Sequence, residues 1–250
     1  MISFKTFYEA RSAGEPKEGA YEVLKKYILR DDVYITFTDV FKVGMNPKSH
    51  ESFNTPQGVY TYPLKEFWYN YDVDRTKDIG KSAPFAGDRK HIFILQGKHS
   101  KGFVKDLNQY KESDLNKDID KINKLAQTKS RNDELDLEVT INSAMREAKN
   151  NNSFTKFWNV TRMLSESGYG NFFGLKSNKP MVVWGKLLKK LGYTGFADKR
   201  SDGIIHPSEP LQAVFLDTKE YKVIDYTPNT EIGKGPIWKN DNWLDKGVAN

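Results

Sequence analysis

Strand patterns stand at both ends of this chain, and the stretch from Phe103 to Leu191 between them carries only helical ones. That order limits the fold more than any other feature. A doubly wound sheet requires strands and helices to alternate, whereas strands set apart by a long helical run give an α+β architecture. Early strands are expected within Asp32–Val40 (DVYITFTDV), at Val59–Tyr62 and at His91–Leu95 (HIFIL), where β-branched and aromatic residues concentrate. Late strands are expected at Ile204-Ile205, Gln212–Leu216 and Tyr221–Asp225.

Four apolar stripes at helical spacing fill the middle. Leu115, Ile119, Ile122 and Ala126 make the first, and Leu137, Ile141, Ala144 and Ala148 the second. Phe154, Phe157, Trp158, Thr161 and Leu164 make the third, and Trp184, Leu187, Leu188 and Leu191 the fourth. Aromatic stripes of this kind are core before they are ligand platforms. Tyr21, Leu24, Tyr27 and Ile28 form an earlier helical face, and Leu64–Tyr71 a short helix. The expectation is one α+β domain over residues 1–226, in which strands from both chain ends form a central sheet around a helical insertion at 103–191. An extended tail, 227–250, follows. Pairing of the end strands would bring Thr38–Tyr62 near His206–Gln212.

Composition narrows the chemistry. The chain has 250 residues, enough for a sizeable core, and no cysteine, which removes thiol nucleophiles, disulfides and cysteine-ligated zinc together. The N-terminal MISFKTFYEAR lacks the apolar run of a signal peptide, and no segment is apolar enough to span a bilayer. A soluble, cytoplasmic monomer is the expectation. His50, His91 and His99 are not spaced as metal ligands, and there is no phosphate-binding glycine loop, serine nucleophile elbow or zinc-deaminase pattern. No metal and no cofactor are therefore expected.

The formal net charge is +6, so a polyanion suits this chain as a partner. The excess is concentrated at Arg75, Lys77, Lys81, Arg89, Lys90, Lys98 and Lys101, against only Asp78 and Asp88 in the same stretch. Such a strip is either a solvated loop or a phosphate-contacting surface, whose flanking Tyr69, Tyr71, Phe85 and Phe103 could add stacking to bases.

Two segments gather groups suited to catalysis. The first runs from Lys42 to Trp68 and contains Gly44-Met45-Asn46-Pro47 with Phe67-Trp68 downstream; the second is GIIHPSEPLQAVFLD, residues 203–217. The GMNP segment resembles the first motif of the uracil-DNA glycosylase superfamily, and His206-Pro207-Ser208 resembles its second. That resemblance implies a parallel sheet with interleaved helices, a water positioned by Asn46 and a departing base held by His206.

The layout is also similar to the ADP-ribosyltransferase fold: a strand such as YITFT, then a turn, then GVYTY, then a late strand preceded by an acidic or amide residue. In that family a His or Arg on the first strand and a Tyr on the second cradle the substrate NAD, and a Glu at the late strand drives transfer. Tyr60 fills the second position. The first falls on Thr36 and the glutamate position on Gln212, with Glu209 three residues earlier.

Both families break a bond between an anomeric carbon and a base nitrogen, through a transition state that resembles an oxocarbenium ion. Such a state gains from a carboxylate, a polar group that orients water, and donors to the leaving base. Glu209 can supply the charge, with Asp39 or Asp202 as rivals. Asn46 or Gln212 can orient water, and His206 can donate to the base. Tyr60 or Tyr62 can stack on a flipped-out base, with Thr38 and Asp39 beside it. Removal of a specific base from DNA is thus the expected activity, with DNA as partner. The alternatives are mono-ADP-ribosylation using NAD, and a non-catalytic nucleic-acid-binding or virion-associated protein. His206 capping a turn and Glu209 facing water would fit the last of these.

Overall fold

The structure, a computed structural model, describes residues 19–38, 55–76, 89, 91–177, 179–199, 203–205, 211–231 and 235–236. In chain order its elements begin with α1 (Ala20–Lys25), β1 (Val33–Thr38), β2 (Val59–Pro63), α2 (Leu64–Asn70), α3 (Val73–Thr76), β3 (His91–Gly97) and β4 (Phe103–Val104). The long helices follow: α4 (Glu112–Leu125), α5 (Arg131–Glu147), α6 (Ser153–Glu166) and α7 (Pro180–Lys190). Then come β5 (Gly195–Ala197), β6 (Ala213–Phe215), β7 (Tyr221–Pro228), β8 (Thr230–Glu231) and β9 (Gly235–Pro236). The chain is α+β.

Two compact units divide it. Among the described residues, unit one comprises 19–38, 60–76, 89, 91–98, 221–231 and 235–236, and unit two comprises 55–59, 99–177, 179–199, 203–205 and 211–220.

In unit one, β1 pairs antiparallel with β2 on one side and with β3 on the other, and β3 pairs antiparallel with β7. The β3–β7 ladder joins residues 91–97 to residues 221–228, with a bulge between Ile94 and Leu95. One face of this sheet is closed by α1 and α2. Ile35, Leu64, Phe67, Trp68, Ile92 and Ile94 are all sealed from solvent there. Tyr21 of α1 lies against Trp68 of α2, ring centroids 4.9 Å apart. Each side chain of that size contributes about 1.5–3 kcal/mol when buried, which outweighs the weak intrinsic preference of short helices such as α1 and α2.

In unit two, β5 pairs parallel with β4 and antiparallel with β6. The helices form where the spacing predicts them, and their starts carry recognisable caps. Ser130 Oγ accepts from the Asp133 N–H over 3.2 Å, and the Asp133 carboxylate accepts from the Ser130 N–H over 3.1 Å. Asn152 Oδ1 accepts from the Thr155 N–H over 2.8 Å at the start of α6. Pro180 opens α7, where its missing N–H loses nothing. The aromatic stripe of α6 is core: Phe154 and Phe157 are fully buried, and both rings lie close to Phe196 of β5.

Two expectations about strands are corrected. Ile204-Ile205 is not a strand: it follows Gly203, whose φ of 63° turns the chain, and it forms a bend. The strand in that region is instead β5, and a further short strand, β4, opens the middle of the chain.

Candidate functional site

On unit one the two strand positions implied by the ADP-ribosyltransferase layout are joined directly. Thr36 Oγ1 donates to the backbone carbonyl of Tyr60 over 3.0 Å, a side-chain bond across the β1–β2 seam. Thr36 is buried, whereas Tyr60 keeps part of its surface open to solvent. Tyr62 is placed differently. It is 8 % exposed, and its ring lies edge-on to Phe37 at 5.9 Å and to Phe67 at 5.3 Å. Of the two tyrosines, Tyr60 is the one with surface to offer a ligand. Thr38 ends β1, its backbone opposite His91 of β3.

On unit two, Gln212 immediately precedes β6 and is buried. Its carbonyl accepts from the Asp198 N–H over 2.8 Å, and the Asp198 carboxylate accepts from the Ile204 N–H over 3.2 Å. Asp198 is 1 % exposed, so this carboxylate is withdrawn from water beside the amide residue singled out above. The sequence reading missed it. Its only signal was an acidic residue directly after Gly195-Phe196-Ala197, a segment too short and too small to announce itself as a strand.

Asn46, Asp39, His206, Glu209 and Asp202 lie outside the described residues, as do Lys77, Lys81 and Lys90. The rest of the basic strip is described. Arg75, on α3, pairs with Asp72 over 3.8 Å and is otherwise exposed. The Arg89 carbonyl accepts from Asn229 Nδ2 over 2.8 Å. Lys98 is exposed directly after β3, and Lys101 is exposed on unit two.

A second polar cluster in unit two was not foreseen. Asp118 on α4 is 2 % exposed. Its Oδ2 accepts from the Tyr110 hydroxyl over 2.6 Å and from the Tyr193 hydroxyl, and its Oδ1 accepts from Lys121 Nζ over 3.2 Å. Burial, above all, drives both phenols well above their ordinary range. Phenols so held are donors and not bases near neutral pH. The cluster was legible in part: Asp118 stands three residues after Leu115 and four before Ile122, on the buried stripe of α4.

Among the described residues no three of His, Asp and Glu gather as a metal ion would require, and no helix is long and apolar enough to cross a membrane. The chain matches no protein-family model, no curated protein and no solved structure.

Proposed function

We propose that this chain breaks an N-glycosidic bond, and that the reaction is transfer of ADP-ribose from NAD. The observation that carries the proposal is the bond from Thr36 to the Tyr60 carbonyl, which ties together the two strand positions where an ADP-ribosyltransferase holds its substrate. The antiparallel pairing of β1, β2, β3 and β7 supports the same choice, because the glycosylase resemblance implies a parallel sheet with interleaved helices. In this reaction the bond between the ribose anomeric carbon and the nicotinamide nitrogen breaks. Nicotinamide leaves with the bonding electrons, and an acceptor nucleophile then closes on the sugar cation.

Tyr60 supplies the aromatic wall in this reading, and Glu209 supplies the negative charge that stabilises the cation. Gln212, at the position of the family's glutamate, is an amide and can orient an acceptor or water but cannot provide that charge. Removal of a base from DNA is the second reading, favoured by the formal charge of +6.

Incubation of the full chain with NAD and, separately, with DNA followed by alkali tests both. Release of nicotinamide, slowed about tenfold to a hundredfold in Tyr60→Ala, is the expected result. Alkali-labile sites in DNA without nicotinamide release would select the second reading. Neither product would end the proposal that an N-glycosidic bond is broken.

A further inference from the structure

We infer that unit two carries a binding cleft for a small molecule bearing a diphosphate, such as a nucleoside diphosphate. The cleft has a volume of about 490 Å³, within the size range of small-molecule sites. Four lysines line it, Lys101, Lys105, Lys117 and Lys121, against two aspartates, Asp114 and Asp118.

The acids are already committed to donors of the protein itself. Asp118 accepts both phenolic hydroxyls on one oxygen and Lys121 on the other. Asp114 accepts from the Lys111 N–H over 3.0 Å as part of the helix cap, with Lys117 3.9 Å from its other oxygen. Lys101 and Lys105 are exposed and form no ion pair with any described residue. A concave surface with uncommitted cations and neutralised acids concentrates anions from solution.

The floor favours a ligand that is more than a bare anion. His99, held at a φ of 51°, stacks on the buried Phe103 with ring centroids 5.0 Å apart, and of the cleft's rings His99 and Tyr193 keep part of their surface open. Aromatic surface in the same cleft as two exposed lysines suits a ring attached to adjacent phosphates. This inference does not rest on the reaction proposed above.

The test is calorimetric titration of the full chain with inorganic pyrophosphate, with ADP, and with a single-stranded oligonucleotide. Pyrophosphate and ADP should both bind, ADP more tightly, and both more weakly as salt rises. The double variant Lys101→Glu/Lys105→Glu should lose at least about tenfold in affinity for pyrophosphate, because like charges then face the ligand. Lys149→Glu/Lys219→Glu makes the same change in net charge at exposed positions outside the cleft and should bind as the wild type does. Equal weakening in the two variants would overturn the site, as would failure of the wild type to bind pyrophosphate. Binding of the oligonucleotide without ADP or pyrophosphate would replace the small-molecule reading with a nucleic-acid one. Circular dichroism of each variant confirms that the comparison is between folded proteins.

Discussion

The hydroxyl of Tyr110 donates to Oδ2 of Asp118 over 2.6 Å inside unit two, where both residues are buried. The same oxygen accepts from Tyr193, so one buried carboxylate fastens α4 to the segment before it and to the segment between α7 and β5. Asp118→Ala leaves the buried Tyr110 hydroxyl and the part-buried Tyr193 hydroxyl without their acceptor, and Lys121 with only the Leu191 carbonyl to donate to. The expected loss is about 2–3 kcal/mol, that of two hydrogen bonds to one charged acceptor, with little added by the half-exposed Lys121. Tyr193→Phe removes a single donor and should cost about 1 kcal/mol. Urea denaturation of the two variants reads both values, and a loss below that of Tyr193→Phe for Asp118→Ala would show that water replaces the carboxylate.

Glycine at position 195 is required by space and not by backbone angle. A Cβ there would stand 2.6 Å from Cε2 of Phe103, its partner across the β4–β5 ladder, and 2.6 Å from the Val214 carbonyl. Backbone on one side leaves no room to relax. Gly195→Ala should therefore destabilise by about 1–3 kcal/mol through overpacking. Gly168→Ala makes the opposite case. Its Cβ would meet open space, but φ is +79°, so the expected loss of about 1 kcal/mol is conformational. A larger loss at Gly168 than at Gly195 would reverse this assignment.

In unit one, the Tyr21 hydroxyl donates to the Asp74 carboxylate over 2.6 Å. That bond, assisted by burial, pushes the phenol up from its ordinary value of 10.0 to about 12. A raised tyrosine keeps its proton in the folded state after the unfolded chain has lost it. The stabilisation is therefore whole below pH 10 and drains away as pH rises through about 12. Tyr21→Phe should cost about 1 kcal/mol near neutral pH, and the gap from wild type should narrow as alkali is approached. Denaturation midpoints measured at neutral pH and at a pH between those two values check the slope; a gap that widens would mean the wrong sign.

The long elements were legible in the sequence because they repeat. Leu137, Ile141 and Ala144 of α5 span two turns at helical spacing, and His91–Leu95 is a run of residues that sheets favour, so α5 and β3 were foreseen. Short elements lack that redundancy. β5 is three residues, two of them small, and its identity as a strand comes from its neighbours β4 and β6. Missing β5 also meant missing Asp198, which became conspicuous only once β5 and β6 placed it beside Gln212. Lys101 was visible as charge, but its relation to Lys105 and Asp118 depends on the fold of unit two. As stacking partners for a base, Tyr60 and Tyr62 were equal candidates in the sequence. Packing against Phe37 and Phe67 separates them.

That separation leads to the test of the chemistry. Tyr60 retains open surface while Thr36 fixes its backbone, so a ring attached to a sugar can stack on it without refolding the strand. A stacked aromatic is worth about 1–3 kcal/mol, so Tyr60→Ala should slow nicotinamide release from NAD about tenfold to a hundredfold. Tyr60→Phe should retain most of the rate, because stacking needs the ring and not the hydroxyl. In the proposed reaction the role given to Glu209 is its charge instead. An oxocarbenium-like sugar gains from a carboxylate only while it is ionised, and a solvated glutamate has a pKa of about 4.3. Glu209→Gln keeps the size of the side chain and deletes the charge, so it should lose about a hundredfold or more in rate at saturating NAD while KM changes little. Single-turnover measurements on these variants separate the two roles. If Glu209→Gln keeps the wild-type rate, the charge comes from another carboxylate, and Asp198, buried beside Gln212, becomes the residue to replace next.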